Sequence, residues 1–350
     1  MNGSMQDRPL RVALGAEAVP AAEQAEIDQI VDISRYVQEQ VDRKLRPVPR
    51  GQHAKQHGCV RAEFIVEPNL PEALRHGVFR EPRIYHALIR FSNGRSWDDR
   101  KPDAHGMAVK LLGVEGEKVL ESEKDARTQD FVMIDNPVFF AKNVADFVPL
   151  MKDFRRVATG GILSKSFTVL KILLSPNYKF RLLRAAGNKW PDSPLRIQYW
   201  STTPSKLGPG AMKFSARPDL AGGSPAPTAS SSKDKLRLAL SARLKEREAR
   251  FDFLVQIQTD PVAMPVEDPT VPWDETVSPF IKAATIRIPV QAFESAEQMN
   301  FGENLSFTPW HALAEHRPLG GINRARKMVY ESISRRRHEL NGVTMQEPTD

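Results

Sequence analysis

The sequence holds a single cysteine, Cys59, in 350 residues. That excludes an intramolecular disulfide and any zinc or iron-sulfur site built from several thiolates, so redox chemistry on this chain requires a bound cofactor. No run of 18 apolar residues occurs, which leaves no candidate membrane-spanning helix. The opening "MNGSMQDRPL" lacks the apolar stretch of a secretory signal, so a cytoplasmic protein is expected. Charge of one sign is not in large excess. Fifty Lys and Arg against 43 Asp and Glu give +7, which suits an anionic ligand but is too mild to name one. Internal repeats and clean linkers are also absent, which favours one main domain.

What is present is a chain with 41% hydrophobic residues, ample for a real core. "EQAEIDQIVDISRYVQEQVDRKL" carries apolar residues at helical spacing and reads as an amphipathic helix. From Gly58 to about Asp135 the pattern becomes short β-type runs: "CVRAEFIV", "HALIRFS", "GMAVKLLGV" and "DFVMI". A second set follows, "AMKFSA", "FDFLVQIQ" and "ATIRIPV". Seven or eight such strands favour a closed antiparallel barrel over a doubly wound sheet. Between the sets, "VADFVPLMKDFRRVATGGILSKSFTVLKILL" and "KDKLRLALSARLKEREAR" read as helical, and "AGGSPAPTASSS" as a polar low-complexity insert expected to be a mobile loop.

Two local patterns carry chemistry. In "RGQHAK", His53 lies among cations that disfavour the imidazolium, which leaves a neutral ring able to accept a proton. An ordinary surface or packing histidine is the alternative. Near the C-terminus, Ile322, Arg326, Val329, Tyr330, Ile333 and Arg337 trace one helical stripe. Arg326 and Tyr330 are an i, i+4 pair, so the guanidinium can reach the phenol and favour phenolate, a hard ligand for ferric iron. A buried tyrosine hydrogen-bonded to an arginine reads the same way. The basic run "SRRRHE" reads as a solvated face; the arginines of its stripe alternate with Ile and Val rather than aromatics, which argues against nucleic-acid binding.

Taken in order, these segments resemble the haem catalases, and within them the short catalase-like haemoproteins related to peroxidases. "RGQHAK" is similar to the family's distal motif, "IRFSNG" and "DAHGMAVKLLG" to its RFS segment and following strand, "DNPVFFAKNVADF" to its double-phenylalanine segment. "EQMNFGENLSF" and the Arg326–Tyr330 spacing are similar to its proximal region. The matches span roughly Val48 to His338. The resemblance implies an α+β chain, a catalase-like eight-stranded antiparallel β-barrel with additional helices. It divides into a helical segment 1–47, a haem-binding domain 48–340 with a mobile loop at 221–233, and a tail 341–350.

The resemblance also implies roles. His53 is the expected distal acid/base, Ser92 its hydrogen-bond partner, and Tyr330 the axial ligand of the iron of haem b, paired with Arg326. Arg50, Arg90 and Arg337 would neutralise the haem propionates, and Phe147 would pack on the haem plane. Two departures stand out. The family's distal asparagine falls here on Ile134, leaving Asn136 as the nearest amide and candidate catalytic residue, and Gln52 stands beside His53 where a small apolar residue is usual. Without a distal amide to orient a second small peroxide, the expectation leans toward a peroxidase or organic-hydroperoxide oxidoreductase. Catalase-type dismutation of hydrogen peroxide, and hydroperoxide binding or isomerisation without net oxidation, are the alternatives. Expected partners are a small peroxide and an organic electron donor, in a homodimer or homotetramer.

Overall fold

The computed structural model describes residues 12–42, 45–220 and 231–349. Strand β1 (Gln56–Val66) shows how the sequence makes the barrel. Val60, Ala62, Phe64 and Val66 occupy alternate positions and are all buried, because successive side chains of a strand point to opposite faces. β1 pairs on one side with β2 (Ile84–Asn93), which continues to β3 (His105–Leu112) and β4 (Thr128–Ile134). On its other side it pairs with β9 (Ile281–Ile288), then β8 (Ala249–Ile257) and β7 (Gly210–Asp219). All seven expected runs are strands.

The ring is closed by β5 (Tyr199–Trp200), only two residues long. Trp200 pairs with both Ile134 of β4 and Ser215 of β7, giving a closed barrel of eight antiparallel strands; β6 (Ser205–Leu207) pairs with β7 outside it. Tyr199 is wholly buried and its hydroxyl donates to the Pro194 carbonyl at 2.9 Å. The interior is filled with aromatic rings: Phe131 lies 4.8 Å from Phe253, and Phe253 5.0 Å from Phe64. Such a lumen has no room for a ligand, so any site must be built outside the barrel wall.

Helices cover that wall. The first expected helix is α1 (Glu23–Asp42). The expected helical stretch 144–174 is two helices, α2 (Val144–Thr159) and α3 (Ile162–Leu174), because Gly160 and Gly161 both adopt extended backbone between them. α4 (Tyr178–Gly187) follows, then α5 (Lys235–Glu246) and α6 (Ala296–Asn304). α7 (Gly321–Asn341) is the last expected helix, stopped by Gly342 in the left-handed conformation. Ile27, Ile30 and Ile33 of α1 pack with Val144, Val148 and Ala325, tying α1, α2 and α7 together. Arg324 reinforces this junction by binding Glu17, Glu23 and Glu267. No helix among the described residues is long and apolar enough to cross a membrane. Of the expected mobile loop at 221–233, residues 221–230 lie outside the described residues.

The segment after α7 returns to the barrel wall. Glu347 reaches Lys110 Nζ at 2.5 Å, and the Thr128 hydroxyl donates to it at 2.7 Å. Lys110 and Asp130 are fully buried cross-strand partners on β3 and β4, 2.7 Å apart, so this patch of outer wall is a covered ionic cluster rather than a solvated face.

Candidate active site

Period-two alternation places Phe91 in the barrel core and its neighbours Arg90 and Ser92 on the outer face of β2, where both remain buried. Register then aligns two rows across the wall: Ser92 with Gly106 and Ile134, and Arg90 with Ala108 and Val132. His53 sits over the first row. Its ring Nδ1 lies 3.1 Å from Ser92 Oγ, as expected from sequence. A Cβ on residue 106 would lie 2.5 Å from that nitrogen, so only glycine leaves room for the imidazole. His53 adopts φ 54, a conformation L-residues avoid. Its N–H donates to the Gly94 carbonyl at 3.0 Å, and its carbonyl accepts from Arg90 Nη1 at 2.9 Å. The fold thus spends two backbone hydrogen bonds on holding a strained residue, a pattern found where a side chain must point one way.

Burial, with Arg90 second, pulls the His53 imidazole down to about 4. The ring is therefore neutral at pH 7. With Nδ1–H donated to Ser92 Oγ, Nε2 is the free acceptor.

Across a cavity of about 300 Å³ from this wall runs α7. His53, Ser92, Arg50, Arg90, Tyr330 and Arg337 all line that one cavity. Arg326 stands behind the tyrosine, its Nη2 donating to Tyr330 Oη at 3.3 Å. Its Nη1 is fixed by Thr203 Oγ1 and Asn323 Oδ1, both at 3.1 Å. The i, i+4 pairing read from the sequence is present, and Thr203 is an added anchor from a distant loop.

At one end of the cavity three guanidiniums converge. Arg50 donates to the carbonyls of Gly302, Glu303 and Leu305, and Arg337 to that of Glu303 at 2.6 Å. Arg90 reaches the Glu303 carboxylate at 3.2 Å and Arg50 approaches it at 3.9 Å. Three cations thus crowd around one carboxylate, and only two of them reach it. Burial, then the neighbouring Arg90 and Arg337, pulls Arg50 well below the usual guanidinium range, and its buried Nε makes no hydrogen bond. A buried excess of cations calls for anionic charge from a ligand.

Besides Arg326, two expected residues stand apart from the cavity lining. The Asn136 amide donates to the Val138 carbonyl at 2.6 Å just past the end of β4. Phe147 packs edge-on against Phe139 at 5.5 Å and near Phe140 at 5.8 Å. Glu303, Gly106 and Met345, the last lining the cavity from the returning C-terminal segment, were not singled out from the sequence. Glu303 and Gly106 lie within family-like segments, but their roles arise only from strands and helices meeting in space, and no local pattern marks Met345.

No family model and no curated protein sequence matches the chain. Its structure is similar to those of a fungal catalase (TM-score 0.60, 16% identity, 87% of this chain and 63% of that one) and a bacterial catalase (TM-score 0.58, 16% identity, 86% and 59%). Catalase A from Saccharomyces cerevisiae is similar at the same TM-score, 0.58, and the same 16% identity, over 96% and 70% of the two chains. The chain thus has a catalase-like fold, and it spans 63% and 59% of the first two structures' length.

Proposed function

We propose that this catalase-like fold works as a haem-dependent oxidoreductase that cleaves the O–O bond of a peroxide, with organic hydroperoxides favoured over hydrogen peroxide. The observation that carries the reading is that His53, neutral and fixed by Ser92 over Gly106, faces the same cavity as Tyr330. The residues present fit haem b. Tyr330 would ligate its iron, supported from behind by Arg326, and Arg50, Arg90 and Arg337 would hold its two carboxylates. With Glu303 included, three cations would then face three anions.

Haem bound there would supply the two electrons that O–O cleavage requires, with a second peroxide or an organic donor as the final reductant. The chain's own residues move the proton. His53 Nε2 takes it from one peroxide oxygen and returns it to the other as the bond between them breaks, general base and then general acid work. Ser92 keeps the ring in one tautomer and orientation. Ile134, in register with Gly106, offers no amide to orient a second small peroxide, which is why donor oxidation is placed ahead of dismutation. The similarity to catalases favours dismutation, and one assay separates the two. Oxygen release on an electrode should be slow relative to oxidation of an added phenol; fast, donor-independent release reverses the order. Tyr330→Phe should lose the haem absorption band and its cyanide shift, and a variant that keeps both refutes the ligand.

A further inference from the structure

Helix α3 turns its apolar face outward. Of its 13 residues only Thr168 is buried. Ile162, Leu163, Phe167, Leu170, Leu173 and Leu174 are between 53% and 87% exposed, and Val169 is 40% exposed. At about 100° per residue these seven fall within an arc of about 160°, with Thr168 on the opposite side. Lys165 and Lys171 stand on either edge of the arc, about 40° beyond it. An amphipathic surface helix normally buries this face.

The charge around it is equally one-sided. Residues 152–190 carry nine Lys and Arg against one acid, Asp153. That is +8 for the segment, and since the whole chain is +7, everything else sums to −1. Lys152, Arg155, Arg156 and Arg181 are exposed, and Trp190, 58% exposed, ends the segment.

We infer that α3 and its basic flanks dock the protein on an anionic lipid bilayer, with the helix lying in the headgroup region. At about 1.5 Å per residue α3 is about 20 Å long, too short to cross a hydrocarbon core of about 30 Å. A broad apolar arc bordered by lysines, in a segment rich in Lys and Arg, is the composition of an interfacial helix: the apolar side chains enter the acyl boundary while the cations meet lipid phosphates. A second copy is a poorer occupant, since self-association through this face would set the +8 segment against itself.

The test is sedimentation of the full chain with vesicles. It should pellet with phosphatidylcholine vesicles containing phosphatidylglycerol, and less with phosphatidylcholine alone. Salt at about 0.5 M should weaken the binding. Phe167→Asp with Leu170→Asp should lower the bound fraction at least tenfold with unchanged far-ultraviolet dichroism, and Lys165→Glu with Arg181→Glu should abolish the preference for anionic lipid. As a conservative probe, Phe167→Trp should add fluorescence that brominated acyl chains quench. The inference is overturned by no pelleting, by equal pelleting of the double aspartate variant, by absence of quenching, or by a dimer that the aspartates split.

Discussion

At the scale of single residues, the site depends on what is small as much as on what is reactive. Gly106 has no sequence signal beyond being a glycine in a strand, yet a methyl there would collide with the His53 ring at 2.5 Å and touch Ser92 Oγ at 3.0 Å. Gly106→Ala should displace the imidazole while leaving Tyr330 and the three arginines in place. On the proposed haem reading, turnover should fall about 100-fold, the cost of misplacing a catalytic group by about an ångström, with haem content by absorption unchanged. Loss of haem instead, or full turnover, would show that the ring position does not matter. Cys59 illustrates the converse. Its local sequence says nothing of reactivity, but burial pushes the thiol up to about 12, above the opposing pull of Arg90 and Arg50, so it acts as packing.

At the scale of elements, what was legible followed periodicity. The longer strands alternate, or in β4 run apolar for four residues, and α1, α2, α5 and α7 repeat apolar residues at helical offsets, so each could be read from sequence. The Arg326–Tyr330 pair stood out by its i, i+4 spacing and His53 by its neighbouring cations, whereas Ser92 was marked only by the family resemblance of "IRFSNG". β5 was not, because two residues show no period, and yet it closes the ring. The distal amide was not either: β4 ends at Ile134, so Asn136 belongs to a turn whose own carbonyls capture it. The C-terminal segment is the largest omission. Nothing in "VTMQEPT" announces that Glu347 will enter the Lys110, Thr128 and His311 cluster or that Met345 will face the cavity. Glu347→Ala leaves Lys110 with Asp130 but removes one carboxylate from a buried cluster. It should cost about 1–3 kcal/mol in urea unfolding. It should also raise hydrogen exchange across residues 343–349, and unchanged protection there would mean the segment is held by other contacts.

At the scale of the whole molecule, stability between pH 4 and 8 should be governed by histidines pulled in opposite directions. His316 is buried, accepts the Val78 N–H at 3.0 Å through Nε2, and is held down to about 4, chiefly by burial. Burial also lowers His57 despite Asp99, and lowers His53. In the unfolded chain these rings titrate near 6.5, so as pH falls from 6.5 the unfolded state binds more protons and stability drops. His316 alone contributes about 3 kcal/mol across that window at about 1.4 kcal/mol per pH unit. His311 behaves in the reverse sense. Burial and Lys110 oppose its charge, but Asp130 and Glu123 outweigh them and lift it to about 9. Its contribution is fully present below 6.5 and is lost as pH rises toward 9, about 2 kcal/mol by pH 8. Urea unfolding should therefore give a maximum near pH 6.5 with both limbs falling. His311→Gln should flatten the alkaline limb and leave the acid limb as it was. An alkaline limb that persists in that variant would place the titrating group elsewhere, and would detach the ionic cluster on the outer wall from the pH response of the fold.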